Sequence, residues 1–220
     1  MIKILVAFHK EYPHSRSPVF LNVHVGKQGS KNMLPFTGDN SGTHISDLNS
    51  SFCELTGLYW WWKNQPLPDV VGLAHYRRYF DFSDSIFQLG RKQRKTKVAR
   101  FDFERTAKLH QDRIPELLKE ADIILAQRTD LKESIQQHYL NSHIKEDWKL
   151  LTDVMRELHP TIDLSFFEST NTMHEFNMFV CRREQFIAYM DWLFPILFQV
   201  NERIAHTDHP YQKRVIGFMG

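Results

Sequence analysis

Residues 70–80 read VVGLAHYRRYF, an apolar run followed closely by two adjacent arginines. The apolar part, Val70 to Ala74, has the length of a β-strand and shows no alternation of polar and apolar residues. Such runs are typical of strands buried on both faces, which occur where helices cover both sides of a parallel sheet. The stretch therefore favours an α/β fold with a basic segment just beyond a strand end.

Strands and helices alternate in the same way along the rest of the chain. This order predicts a mostly parallel or mixed sheet flanked by helices. No repeat or linker divides the sequence, so residues 1–220 are expected to form one domain, and the abrupt end at Gly220 suggests that a C-terminal element is missing. The predicted strands are residues 2–8, 19–25, 70–74, 123–126 and 178–181, and the predicted helices are residues 49–64, 114–121, 133–158 and 185–200.

Three helix boundaries depend on single residues. Asp47 or Asn49 is expected to cap the first helix, because either side chain can accept a hydrogen bond from a free backbone amide. Pro160 should end the third helix, and Pro195 is a candidate break in the fourth.

The composition is typical of a globular protein, with 42% hydrophobic and 25% charged residues. No apolar run approaches the ~20 residues of a membrane-spanning helix, and the apolar N-terminus is too short for a signal peptide, which predicts a cytoplasmic location. Cys53 and Cys181 are expected to be reduced core thiols. The net charge of +2 is too small to indicate a nucleic-acid partner, and an RNA-binding module is the weakest alternative.

The charge is nevertheless uneven, because six lysines and arginines fall within residues 91–100. One interpretation is a solvated loop. The other is a basic patch that makes peripheral contact with anionic lipid at the inner face of the cell membrane, or with a lipid-diphosphate acceptor.

The basic segment after the strand is the strongest functional signal in the chain. Arginine is rarely buried without a partner, and its planar fork suits a diphosphate, so Arg77 and Arg78 are candidate phosphate ligands. Tyr76 or Tyr79 could stack on a base or a sugar. The alternative is a structural network in which carboxylates pair with the arginines.

Two polar segments are weaker candidates. In the loop TGDNSGTHIS, Asp39 and Asn40 could bond a ribose or a base edge, or could simply form a turn with their own backbone. The loop matches neither a Walker loop nor a dinucleotide fingerprint. His206 and His209 flank Asp208, but such a cluster is more often a polar loop, so no metal site is predicted.

The ordered segments GDN, FCELTGLYWWWKN, GLAHYRRYF, NMFVCRREQFIAYMDWLFPILF and YQKRVIGF resemble a bacterial capsule and exopolysaccharide glycosyltransferase-like family, domain of unknown function 4422. The resemblance implies a GT-A-like, Rossmann-type fold that binds a nucleotide-diphospho-sugar. Members resemble galactosyltransferases that extend O-antigen or capsule chains. Most GT-A enzymes hold Mn²⁺ or Mg²⁺ through an Asp-x-Asp motif, whereas the corresponding strand end here begins at His75 and carries the two arginines. No cofactor is therefore predicted, Mn²⁺ or Mg²⁺ stays an open alternative, and Arg77 and Arg78 are expected to neutralise the diphosphate.

The resemblance gives each candidate residue a role. The chain is expected to transfer a hexose to a glycan or lipid-linked glycan acceptor. UDP-galactose is the suggested donor. The alternative is a non-catalytic nucleotide-sugar-binding or assembly subunit of a polysaccharide-synthesis complex. Candidate donor ligands are His9, Asp39, Asn40, Tyr76, Arg77, Arg78 and Arg214, and candidate catalytic residues are His75, His174, Glu175 and Glu202.

Overall fold

A computed structural model describes residues 1–83, 102–205 and 211–220 of the chain. Strands and helices alternate through these residues, as the sequence predicts. The strands are β1 (Ile2–Phe8), β2 (Phe20–His24), β3 (Thr37–Gly38), β4 (Val70–His75), β5 (Ile123–Leu125), β6 (Arg128–Asp130), β7 (Thr172–His174) and β8 (Phe179–Arg182). The helices are α1 (Asn49–Phe52), α2 (Leu55–Asn64), α3 (Phe103–Glu120), α4 (Ile135–Ser142), α5 (Lys145–Leu158), α6 (Ser165–Ser169), α7 (Arg183–Arg203) and α8 (Val215–Met219).

Six of these strands form one sheet in the order β3-β2-β1-β4-β8-β5. The first four strands in that order pair in parallel, and β8 runs antiparallel to both β4 and β5. The predicted mixed, mostly parallel sheet is therefore confirmed. Strands β6 and β7 form a separate antiparallel pair that the sequence did not indicate.

The central strand β1 is buried on both faces. Leu5 and Ala7 pack into a core cluster with residues of α2, α5 and α7, while Ile4 and Val6 pack into a second cluster with residues of α3. Because successive side chains point to opposite faces, a continuous apolar run is what such a strand requires.

The first predicted helix is interrupted at Cys53, whose φ of 53° separates α1 from α2. Neither Asp47 nor Asn49 caps it, so the predicted cap is wrong. The Asn49 amide instead donates to the Cys53 carbonyl at 2.6 Å and to the Thr56 hydroxyl at 3.1 Å, which ties the two helices together across the break.

Three other helix predictions need correction. The predicted helix 114–121 is the last part of α3, which begins at Phe103. The predicted helix 133–158 is two helices, because the chain is extended at His143 and Ile144. Helix α7 continues through Pro195 without a break. Proline removes one hydrogen bond, and the deeply buried Phe194 and Leu197 hold the helix against the core on either side of that position.

Candidate functional site

A cleft of about 1270 Å³ opens where β1, β2 and β4 end. Its walls include Ala7 and His9 from the end of β1, Val25 just after β2, and His75 from the last position of β4. Ligands of open α/β sheets bind outside the carboxyl ends of the strands, so the position of this cleft suits a ligand site.

A tight turn carries the two arginines into this cleft. The His75 N–H donates to the Arg78 carbonyl at 3.1 Å, and the Arg78 N–H donates to the His75 carbonyl at 2.9 Å. The Tyr76 N–H donates to the carbonyl of Ala7 at 3.2 Å, which fixes the turn to β1. The Arg77 side chain is exposed and Arg78 is half-buried.

Each arginine rests on an aromatic ring. The guanidinium carbon of Arg77 lies 5.0 Å from the centre of the Tyr76 ring, and that of Arg78 lies 4.4 Å from the centre of the Phe176 ring. Within residues 1–83, 102–205 and 211–220, no carboxylate lies within 4.0 Å of either guanidinium. Within these ranges the arginines therefore do not form the carboxylate network that was the alternative interpretation. Both guanidinium groups are instead oriented by stacking on aromatic rings.

Three further basic side chains line the same wall: His9, Lys10 and Arg214. The pKa of His9 is lowered from its ordinary value, first by burial and then by the positive charges of Lys10, Arg77 and Arg214. Burial and the neighbouring cations together favour the neutral form of His9, and the three cations around it mark a concentration of positive charge, which favours an anionic ligand.

Arg214 reaches the cleft because helix α8 packs against the break between α1 and α2. Its Nε–H donates to the Cys53 sulfur at 3.4 Å, and its guanidinium carbon lies 5.3 Å from the Phe218 ring. Burial raises the pKa of the Cys53 thiol, partly offset by the hydrogen bond from Arg214.

The backbone around the cleft is strained at three positions. In the described ranges, the non-glycine residues with positive φ are Cys53 (53°), Phe176 (77°) and Asn177 (50°), and all three line the cleft. Such conformations cost roughly 1–3 kcal/mol each and often occur at functional sites. Phe176 also accepts a hydrogen bond from the His75 ring through its carbonyl, so the strained loop contacts both His75 and Arg78.

Three predicted catalytic residues lie in the cleft. The His75 Nε2–H donates to Phe176, and the His174 Nδ1–H donates to the carbonyl of Ala126. A carbonyl can only accept, so the ring nitrogen that faces it donates, and in the tautomer that carries a single proton there the other nitrogen is an acceptor. The half-buried Glu175 carboxylate accepts a 2.8 Å hydrogen bond from Thr129.

The prediction that Asp39 is a donor ligand needs correction, because this residue does not line the cleft and is fully buried. Its carboxylate accepts hydrogen bonds from the backbone amides of Gly26 and Lys27, at 2.8 and 3.1 Å. It also accepts from the hydroxyls of Ser46 and Thr56. Four donors use the four lone-pair positions of a carboxylate, so Asp39 has none left for a ribose.

Three other predicted residues also differ from expectation. Asn40 and Glu202 are not among the residues that line the cleft; the Asn40 amide points to Gln28, and Glu202 is exposed near the end of α7. Tyr76 lies in the cleft wall but is only 4% exposed, since its ring packs edge-on against His9 and Tyr12. It supports the basic side chains and has no free face for a base.

Sequence reasoning missed two parts of the cleft. Glu54 is one of these parts: within the described stretches of the chain, it and Glu175 are the lining residues with a side-chain carboxylate. It sits at the start of α2, within the FCELT segment that carried the family resemblance. An aromatic wall was also missed: its five members are Tyr139, His143, Trp148, Tyr211 and Phe218.

The segment 91–100 and the cluster of His206, Asp208 and His209 lie outside the described residues. Within the described part of the chain, no three His, Cys, Asp or Glu side chains come together as a metal site would require. No helix in that part is long and apolar enough to cross a membrane.

Comparison with known proteins bears on the family and the fold. A family model, "Domain of unknown function (DUF4422)", matches residues 3–220. The solved apo structure of WbbM, a bifunctional glycosyltransferase, is similar, with a TM-score of 0.86 and 28% sequence identity. The match covers 98% of this chain and 40% of that one, so this chain spans less than half of WbbM. No protein with a curated description matches.

Proposed function

The chain belongs to the DUF4422 family, and we propose that it is a glycosyltransferase that moves a hexose from a nucleotide-diphospho-sugar to a glycan acceptor. The observation that carries this proposal is the cationic wall at the carboxyl ends of the strands, where Arg77, Arg78 and Arg214 meet in one cleft. The similarity to WbbM supports the same reaction class. We propose galactose as the sugar, and a capsule, O-antigen or exopolysaccharide chain, free or lipid-linked, as the acceptor.

Positive charge is what this reaction requires at the donor. When the bond from the anomeric carbon to the diphosphate breaks, the departing nucleoside diphosphate gains negative charge, and oriented cations stabilise that charge. Arg77 and Arg78 are oriented by Tyr76 and Phe176, so little reorganisation is needed as the charge develops. We assign these two arginines to the diphosphate.

The divalent cation of most GT-A enzymes does not fit this strand end. The turn from His75 to Arg78 offers guanidinium groups where a metal would need carboxylates, and guanidinium groups repel cations. We therefore propose that the arginines supply the positive charge themselves.

The carboxylates and histidines of the cleft supply the remaining chemistry. Departure of the diphosphate leaves an oxocarbenium-like sugar, which a carboxylate stabilises, and the acceptor hydroxyl must lose a proton. Among the described residues that line the cleft, Glu175 and Glu54 carry carboxylates, and the second ring nitrogens of His75 and His174 are candidate bases.

The test is slow donor hydrolysis, in which the enzyme releases nucleoside diphosphate from a nucleotide sugar without an acceptor. We expect release from one of UDP-galactose, UDP-glucose or GDP-mannose, undiminished by EDTA and reduced at least tenfold in Arg77→Ala. Abolition by EDTA with recovery on adding Mn²⁺ would refute the role given to the arginines. Binding without any release would favour the non-catalytic binding subunit.

The location is proposed with the function. An enzyme that uses nucleotide sugars works where they are made, so we propose the cytoplasmic side. Contact of residues 91–100 with anionic lipid stays a prediction.

A further inference from the structure

The aromatic wall forms a second compartment of the cleft, built by helices α4 and α5 and by the C-terminal residues. Its rings are in continuous contact: His143 lies 4.6 Å from Tyr139 and 4.5 Å from Phe218, between ring centres. Tyr139 lies 5.2 Å from Trp148. The fifth member, Tyr211, is parallel to His143 within 5° at 5.7 Å and is 47% exposed.

Two polar atoms of this wall are buried without a partner. Within the described residues, neither the Tyr139 hydroxyl nor Nδ1 of His143 has a hydrogen-bond partner. Buried polar groups are nearly always hydrogen-bonded, so each exception needs an explanation. Tyr139 is 8% exposed, and both residues line the cleft. A ligand that brings hydroxyl groups would satisfy both atoms.

The wall carries little charge, which narrows the class of ligand. Of its five members only His143 is basic. Burial lowers the pKa of its ring, although a hydrogen bond with the Gln212 side chain acts in the opposite direction, and the net shift favours the neutral ring. An anion would be drawn to the arginines instead. A neutral sugar ring combines an apolar C–H face, which packs on aromatic rings, with hydroxyls that both donate and accept.

We propose that the aromatic wall binds a neutral pyranose ring of the glycan acceptor, which packs against Tyr211 and hydrogen-bonds Tyr139 and His143. The identification of this sugar as the acceptor rests on the proposed glycosyltransferase function. Arg214 joins the two compartments, since it touches the Phe218 ring of the wall and contributes to the charge around His9. A sugar on the wall therefore lies in the same cleft as the donor diphosphate.

Binding requires one adjustment. The two unpartnered atoms are closed to water in this state, and the ring of Tyr211 lies over that of His143. Because Tyr211 is the exposed member of the stack, we expect its side chain to rotate and uncover the His143 ring when a sugar binds. The sugar then contacts the His143 ring in place of the Tyr211 ring.

Saturation-transfer NMR of the whole chain tests the site with methyl pyranosides of galactose, glucose and mannose at millimolar concentration. We expect transfer to at least one methyl glycoside. Tyr139→Phe deletes only the unpartnered hydroxyl, so it should weaken sugar binding about fivefold without loss of thermal stability. Tyr211→Ala should weaken it further, while the control Phe166→Ala removes an exposed ring that does not line the cleft and should change nothing.

The outcomes separate this site from the donor site. Sugar binding that persists unchanged in both Tyr139→Phe and Tyr211→Ala, or no transfer to any of the three glycosides, overturns the inference. Arg77→Ala should leave sugar binding intact. If a glycoside binds at the wall and no nucleotide binds anywhere, the sugar site stands and the glycosyltransferase function fails.

Discussion

At the scale of single residues, Asp39 shows how a polar loop residue can be structural. Its buried carboxylate holds the loop after β2, the loop after β3 and helix α2 together. The sequence could not reveal this, because the four donors come from residues 26, 27, 46 and 56 and meet only in the folded chain. A loop rich in Asp and Asn is equally consistent with a ligand site.

Replacement of Asp39 by alanine should therefore destabilise the fold. It removes the acceptor of the Gly26 and Lys27 amides and of the Ser46 hydroxyl, while the Thr56 hydroxyl keeps the Cys53 carbonyl at 3.1 Å. We expect a loss of about 3–5 kcal/mol in the free energy of unfolding. Urea denaturation measures it, with Asp47→Ala as the control, since Asp47 is exposed and should change stability by less than about 0.5 kcal/mol. Unchanged stability together with lost nucleotide binding would restore Asp39 as a ligand.

His110 predicts a pH dependence of stability. It is 1% exposed on α3, and burial lowers its pKa to about 4, although Thr106 and Asp81 act in the opposite direction. Between about pH 4 and 6.5 the unfolded chain binds this proton and the folded chain does not. Stability should then fall as the pH falls, by up to roughly 1.4 kcal/mol per pH unit from this residue. Denaturation at pH 6.5 and 4.5 should show a smaller difference in His110→Gln, and an equal difference would contradict the assignment.

At the scale of elements, the sequence predicted those strands that form continuous apolar runs. The runs that became β1, β2, β4, β5 and β8 were identified, because strands buried on both faces leave an unbroken apolar signal. The strands β6 and β7 read RTD and TMH, and they are too short and polar for such a signal. The helix breaks at Cys53 and His143 were missed because neither residue is a usual helix breaker.

The docking of α8 on α1 is tight enough to test. A Cβ added at Gly217 would lie 2.8 Å from the Cys53 sulfur and 3.4 Å from the carbonyl of Ser51. Gly217→Ala should therefore destabilise the chain by about 1–3 kcal/mol and shift Arg214, which weakens nucleotide binding. Gly29→Ala is the matched control, since nothing lies within 4 Å of its added Cβ. Equal thermal stability of the two variants would show that α8 does not pack as described.

At the scale of the whole molecule, the sequence predicted the basic half of the cleft and missed the aromatic half. The basic half follows strand ends, and strand ends of a parallel sheet lie together by rule, so His9, His75 and Arg77 could be grouped in advance. The aromatic wall joins α4, α5 and the C-terminal residues, which no local pattern connects. Glu202 was also a candidate catalytic residue, but it lies near the end of α7 and is not among the residues that line the cleft.

The central claim is that Arg77 binds a nucleoside diphosphate, and a thermal-shift measurement tests it most directly. UDP, GDP and CDP are compared on the wild type, on Arg77→Ala and on Arg105→Ala, which removes an exposed arginine of α3 that does not line the cleft. A ligand at 100 times its Kd adds ~2.7 kcal/mol, which raises Tm by roughly 5–10 °C in a chain of this size. We predict that one nucleotide raises the Tm of the wild type and of Arg105→Ala by this amount. The same nucleotide should leave the Tm of Arg77→Ala unchanged. An equal shift in Arg77→Ala, or no shift with any nucleotide, would contradict the account.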